Sequence, residues 1–178
     1  GCSFQHLSSE NQIIAKQSWL QSAFIGQAKT EPKNWLEPMQ IQSWGYRRKA
    51  RLGVRYVAKK EKVLVGFRER KSSFITVMSR CEVLYPSLGD NLEIIAEYIG
   101  KLSIREHVPQ IEAAIAELDT ILILRHLQPL TKDDEAILKE CGDKLSINWY
   151  TQSGGLDTIK PLIEAVTLTY SIPDHKIE

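Results

Sequence analysis

A chain of 178 residues, 43% hydrophobic and 25% charged, is long enough to bury an ordinary core as one domain with room for a small extra lobe, and its balance excludes disorder. The formal charge of +1 hides an asymmetry: residues 46–80 hold twelve of the twenty-three Lys and Arg against only Glu61 and Glu69, a local +10 that leaves −9 elsewhere. No apolar run approaches the roughly 20 residues that cross a bilayer, and the start lacks a charged-then-apolar leader. The three cysteines, Cys2, Cys81 and Cys141, include no close pair, which argues against a secreted disulfide scaffold. A cytoplasmic protein without a membrane partner is expected.

In chain order, Ser9-Glu10-Asn11-Gln12 reads as a capping box ahead of Ile13, Leu20, Ala23 and Phe24 on one helical face, which predicts a helix over 9–27. Residues 29–44 carry Pro32, Pro38 and unperiodic aromatics, a linker expected to pack through Trp35, Leu36 and Trp44. From 45 to 58 the pattern has period two: Arg47, Lys49, Arg51 and Arg55 fall on odd positions, Ala50, Leu52, Val54 and Tyr56 on even ones. Successive strand side chains point to opposite faces, so one face is a cationic row and the other is core, with Tyr46 and Tyr56 expected on the apolar side.

Lys59-Lys60-Glu61 is the turn, and 62–70 is the return strand, with Val63, Val65 and Phe67 on one face and Leu64, Gly66, Arg68 and Arg70 on the other. Gly66 in mid-strand marks either a close approach of another backbone or a bulge. Pro86 opens a helix followed at three- and four-residue steps by Leu88, Leu92, Ile95, Ala96, Ile99 and Leu102. Residues 108–126 read as a hairpin turning near Asp119, Thr131 starts a helix that Gly142 stops, and strands follow over 145–150 and 165–170 around the Gly154-Gly155 turn. The expected fold is α+β: a mainly antiparallel sheet of hairpins with about three helices packed on one face, divided into 1–44 and 45–178.

The basic hairpin points to a phosphate backbone, since Arg outnumbers Lys seven to five in its segment and the guanidinium fork matches phosphate oxygens. The bland reading is a solvated strand face kept soluble by cations. Arg125-His126, after the apolar run 121–124, is either an RNA contact at a strand end or an ion-paired Arg beside a surface His. Spacing alone makes Cys2 and Cys81 unrelated thiols. The histidines at 6, 107, 126 and 175 show no ligand spacing, Gly154-Gly155 is a lone pair rather than a phosphate-cradling turn, and no catalytic residue is predicted.

Taken together, Gly1-Cys2-Ser3-Phe4-Gln5-His6, Trp44 through Leu52, Gly66-Phe67-Arg68 with Ser72-Ser73, Cys81-Glu82-Val83-Leu84 and Ile123-Leu124-Arg125-His126 with Pro129-Leu130 carry a resemblance. The chain resembles the RNA uracil-5-methyltransferases, closest to the type that methylates 23S ribosomal RNA. The resemblance implies that Cys2 and Cys81 are two of four ligands of a 4Fe-4S cluster, with Glu82 in place of the family's proline, and that Cys141 is structural. It implies that the catalytic domain, with its S-adenosylmethionine site, nucleophilic cysteine and carboxylate base, is absent here. This segment alone is then expected to methylate nothing and to hold neither cluster nor S-adenosylmethionine.

In that reading ribosomal RNA, not DNA, lies against Arg47, Lys49, Arg51 and Arg55, with Arg68 and Arg70 on the return strand, Lys71 just after it, and Arg125 and His126 beyond. The alternatives are a free-standing, non-catalytic RNA-binding module and a basic domain that docks an acidic protein.

Overall fold

The computed structural model describes residues 4–172, which fall into two compact units, Gly1–Ser43 and Trp44–Glu178. In the first unit, α1 spans Ser9–Ser22 and continues as one π-helical turn over Ala23–Gln27. The cap is Ser8, one residue before the expected Ser9: its Oγ accepts from the Asn11 N–H at 3.3 Å, while the Gln12 amide donates to Leu7 O instead of serving a free N–H. No residue of α1 is buried. Trp35 meets Phe24 edge-on at 5.8 Å, as linker packing requires, but Leu36 is 86% exposed.

The second unit is built on a six-stranded sheet ordered β2-β1-β3-β4-β5-β6, with β1 Lys49–Val57, β2 Lys62–Gly66, β3 Gln110–Ile115, β4 Thr120–Arg125, β5 Asn148–Gln152 and β6 Ile159–Pro161. All neighbours are antiparallel except β4 and β5. That parallel pair needs a crossover, supplied by α4 at Lys132–Leu145. On the inner face, Ala50, Ala113, Leu122 and Trp149 stand side by side across four strands, and Leu52, Ile111 and Leu124 form the next row. All seven are buried.

Two helices cover this face. Pro86 begins a helix as expected, but the chain breaks it into α2, Pro86–Gly89, and α3, Leu92–Lys101, and Leu92, Ile95 and Ile99 carry α3 onto the sheet with no exposure. Each such side chain contributes about 1.5–3 kcal/mol. The α4 helix passes through Gly142 and stops at Ser146, whose φ of 55° ends the hydrogen-bond ladder. Gly142 packs instead against Ile147 and Trp149, which a Cβ would foul. The last expected strand, 165–170, is not a strand: pairing moves forward to β6, and the chain then runs past the sheet irregularly.

The N-terminus of α4 is tied to the end of α3 through one carboxylate. Thr131 and Asp134 form a capping box, and buried Asp134 also accepts from the Ser103 N–H and hydroxyl, both at 2.7 Å. Burial is the largest influence on its pKa and pushes it up, but the hydrogen bonds from Thr131 and Ser103 outweigh it, so the pKa is lowered. The Asp134 carboxylate therefore stabilises the fold above its unfolded pKa near about 4, and this is lost as pH falls through the lower folded value. Asp134→Asn should cost about 2–3 kcal/mol at pH 7 in urea unfolding, and its stability should vary less than that of the parent chain as the pH falls below 4.

Candidate nucleic-acid interface

The face of the sheet away from α3 and α4 carries the charge. On β1, Lys49, Arg51 and Arg55 are exposed and alternate with buried Ala50, Leu52 and Val54, as the period-two pattern requires. Arg51 donates from Nε to Glu112 Oε1 on β3 at 3.1 Å and forms an ion pair with it through Nη2 at 3.0 Å, yet its side chain stays 70% exposed. Among the described residues it is the one sequence-predicted contact that pairs with a carboxylate. An exposed pair of this kind is worth under about 1 kcal/mol, so the guanidinium remains free to exchange partners.

Two more arginines are held by aromatic rings just before β1. Arg47 lies over Phe67 at 5.0 Å and donates from Nε to Lys49 O; Arg48 lies over Tyr85 at 4.1 Å and donates to Ala116 O at 2.6 Å. Arg48 went unnoticed in the sequence, because its partners are 37 and 68 positions away. Arg105 lies over Tyr56 at 4.9 Å, on the apolar side of β1, and so stands outside this row. Tyr46 is corrected from the core to the surface, at 54% exposure: it lies ahead of β1, next to Gly45 with φ 63°, where the strand's alternation has not begun.

The return strand is shorter than expected. Ladder pairing to β1 ends at Gly66, and residues 67–76 form a small hairpin of their own, with Arg68 bridged to Ile75. Arg70 and Lys71 thus sit in its turn rather than on the sheet face. The hairpin folds back over a bare patch made by Gly53 and Gly66, which are direct partners across β1 and β2. A Cβ on Gly53 would lie 3.0 Å from Ile75 Cδ1, and one on Gly66 would lie 2.9 Å from Thr76 O. Of the two readings of Gly66, close backbone approach is the one observed.

Arg125 ends β4 on this same face, half-buried, with Gln110 and Gln152 as its strand partners. His126 follows it and is 8% exposed: its Nδ1 donates to Gln128 O at 2.7 Å and its backbone N–H bonds Gln152 O, so the surface reading of His126 is corrected. Farther along the face, the Tyr150 hydroxyl accepts from the Val166 N–H at 2.8 Å, which brings the segment after β6 against this side.

Cys2 and His175 lie outside the described residues. Cys81 is half-buried in the loop before α2, its N–H bonded to Gly89 O. Cys141 is buried, and burial above all pushes its thiol up to about 11 despite the neighbouring Trp149 indole and Lys144. A cluster takes four thiolates. No group of three or more His, Cys, Asp or Glu is placed to hold a metal among the described residues, so these alone do not fit one. Nor is any helix among them long and apolar enough to cross a membrane.

A scan against protein-family models finds no match. Among curated proteins, the chain is 61% identical over 177 residues to the 23S rRNA (uracil(1939)-C(5))-methyltransferase RlmD of Vesicomyosocius okutanii subsp. Calyptogena okutanii, covering 99% of this chain and 40% of that protein. It is 43% identical to the protein of the same name from Cupriavidus necator, again over 99% of this chain and 40% of the relative. The chain thus spans about 40% of the length of the curated relatives it matches. Among solved structures, the Pyrococcus abyssi tRNA (uracil-54, C5)-methyltransferase, crystallised with S-adenosyl-L-homocysteine, superposes with a TM-score of 0.54 at 17% identity, over 90% of this chain and 40% of that one, a likeness of fold.

Two outcomes follow from this geometry. Gly66→Ala should destabilise the chain by about 1–3 kcal/mol in urea unfolding, since the added carbon meets a backbone carbonyl that cannot retreat without lifting the hairpin. A thiol reagent at pH 8 should modify Cys81 in the native protein and reach Cys141 only when denaturant is added.

Proposed function

We propose that this chain, which belongs to the RNA uracil-5-methyltransferase family over almost its whole length, is the RNA-seating portion of an enzyme that methylates C5 of a uridine in 23S ribosomal RNA. The observation that carries the reading is the sheet face opposite the helices, where Lys49, Arg51 and Arg55 stand exposed in one row and a single carboxylate among the described residues opposes them. Phosphates spaced along a single strand suit such a row. Arg68, Arg70 and Lys71 extend it beyond the strand end, and Arg47 and Arg48, braced on their rings, border its start.

In this reading the S-adenosylmethionine chemistry belongs to the part of the enzyme beyond these residues, and this chain contributes binding and orientation. Cys81, half-exposed at the start of a turn, is the described thiol that would contribute to a 4Fe-4S cluster, with Cys2 as a second ligand from the resemblance and the remaining two from outside this sequence. The location is the bacterial cytoplasm, where ribosomal RNA is modified.

Binding of a single-stranded RNA, followed by fluorescence anisotropy against salt, tests the proposal. With four to six phosphate contacts, the logarithm of affinity should fall against log salt with a slope of about −3 to −4. Arg51→Gln with Arg55→Gln should make that slope shallower by about 1.4 and leave urea stability within about 0.5 kcal/mol. A flat salt dependence, or a double variant that binds like the parent chain, would remove the sheet face as the RNA surface.

A further inference from the structure

We propose that residues 67–76 are a base-reading finger and that Phe74, at its turn, stacks on an unpaired base of the RNA held by the sheet face; the inference rests on the RNA reading above. The finger is locally determined. Thr76 N–H donates to Phe67 O and Glu69 N–H to Phe74 O, each at 2.9 Å, and Ser72 N–H closes the turn onto Glu69 O at 3.2 Å. The Ser72 hydroxyl then accepts from Phe74 N–H at 2.9 Å, so one serine fixes the turn from both sides. Lys71 takes φ 59°, a left-handed backbone that an L side chain adopts only at a cost, and it does so at the tip.

The seat of the finger decides what the tip presents. Ile75 is buried against Gly53, and Thr76 lies on Gly66, so the residue before them is aimed the other way. Phe74 is 65% exposed. The neighbouring aromatics already have occupants: Arg47 covers Phe67 and Arg48 covers Tyr85, whereas no cation lies over Phe74 among the described residues. An open ring beside Arg70 and Lys71 combines the two elements of sequence-tolerant single-strand binding, a stacking platform and adjacent charge. One aromatic on a basic turn is far smaller than the roughly 800 Å² per partner of a stable protein interface, and its charge favours an anion. A base of a single-stranded RNA meets both conditions.

The test uses the full chain and a single-stranded RNA containing 5-iodouridine, which long-wavelength light couples to an aromatic ring stacked on it. The crosslinked peptide should contain Phe74. Phe74→Ala should lower affinity by about tenfold to a hundredfold at an unchanged salt slope, and Phe74→Trp should restore it. Arg70→Ala with Lys71→Ala should instead make the slope shallower by about 1.4. If the unsubstituted chain binds RNA, couples at another residue and tolerates Phe74→Ala without loss, the platform is excluded and the RNA reading stands. If the unsubstituted chain binds no RNA, both are overturned.

Discussion

The arrangement of the interface depends on two glycines facing each other across one rung of the sheet. Gly53 and Gly66 remove the side chains at a single site beside the cationic residues of β1, and the emptied patch is filled by Ile75 and the Thr76 backbone. Ile75 is buried there yet stands apart from the main core, because the sheet itself lies between them. A surface that would otherwise be a flat row of charges acquires a fixed raised edge. The energy for this comes from burying one isoleucine and closing a few backbone hydrogen bonds, while the glycines give up strand propensity to make room.

Much of the second unit was legible because its signals are periodic. The alternation over Lys49, Ala50, Arg51, Leu52 and Val54 could be realised in one way once one face was to be buried, and the three- and four-residue steps of α3 likewise. What escaped was set by partners distant in sequence. The return strand reads as continuous through Arg70, and nothing within it says that pairing to β1 stops at the glycine and restarts as a separate hairpin. The segment after Pro161 is rich in β-branched residues, as a strand should be, yet β5 already has its pairing filled by β4 and β6. His126 shows the same limit in the candidate site: its polarity suggested the surface, while a carbonyl two residues ahead satisfies it inside.

The charge distribution and the helix packing are two consequences of one division. The helices α3 and α4 reach the sheet from one side, and α4 brings Asp133, Asp134 and Glu135 to its N-terminus, where the helix dipole favours them. The exposed basic row lies on the opposite, open side. If that row is the RNA surface, as proposed, attraction to it orients the encounter before any contact forms.

Orientation alone does not give affinity, because ordering long side chains costs entropy that each new contact must first overcome. The structure reduces that cost in the arginines rather than the lysines. Arg47 and Arg48 are held against rings and backbone carbonyls, and Arg51 rests on Glu112, so their guanidinium planes are positioned while still exposed. Moving Arg51 from Glu112 to a phosphate trades one exposed ion pair for another and releases counterions from the nucleic acid, so the exchange is driven by the solution more than by the protein. If the chain seats RNA as proposed, such a surface binds strongly only while salt is low or while contacts outside it hold the same strand. That behaviour fits the proposed role of seating an RNA and then releasing it.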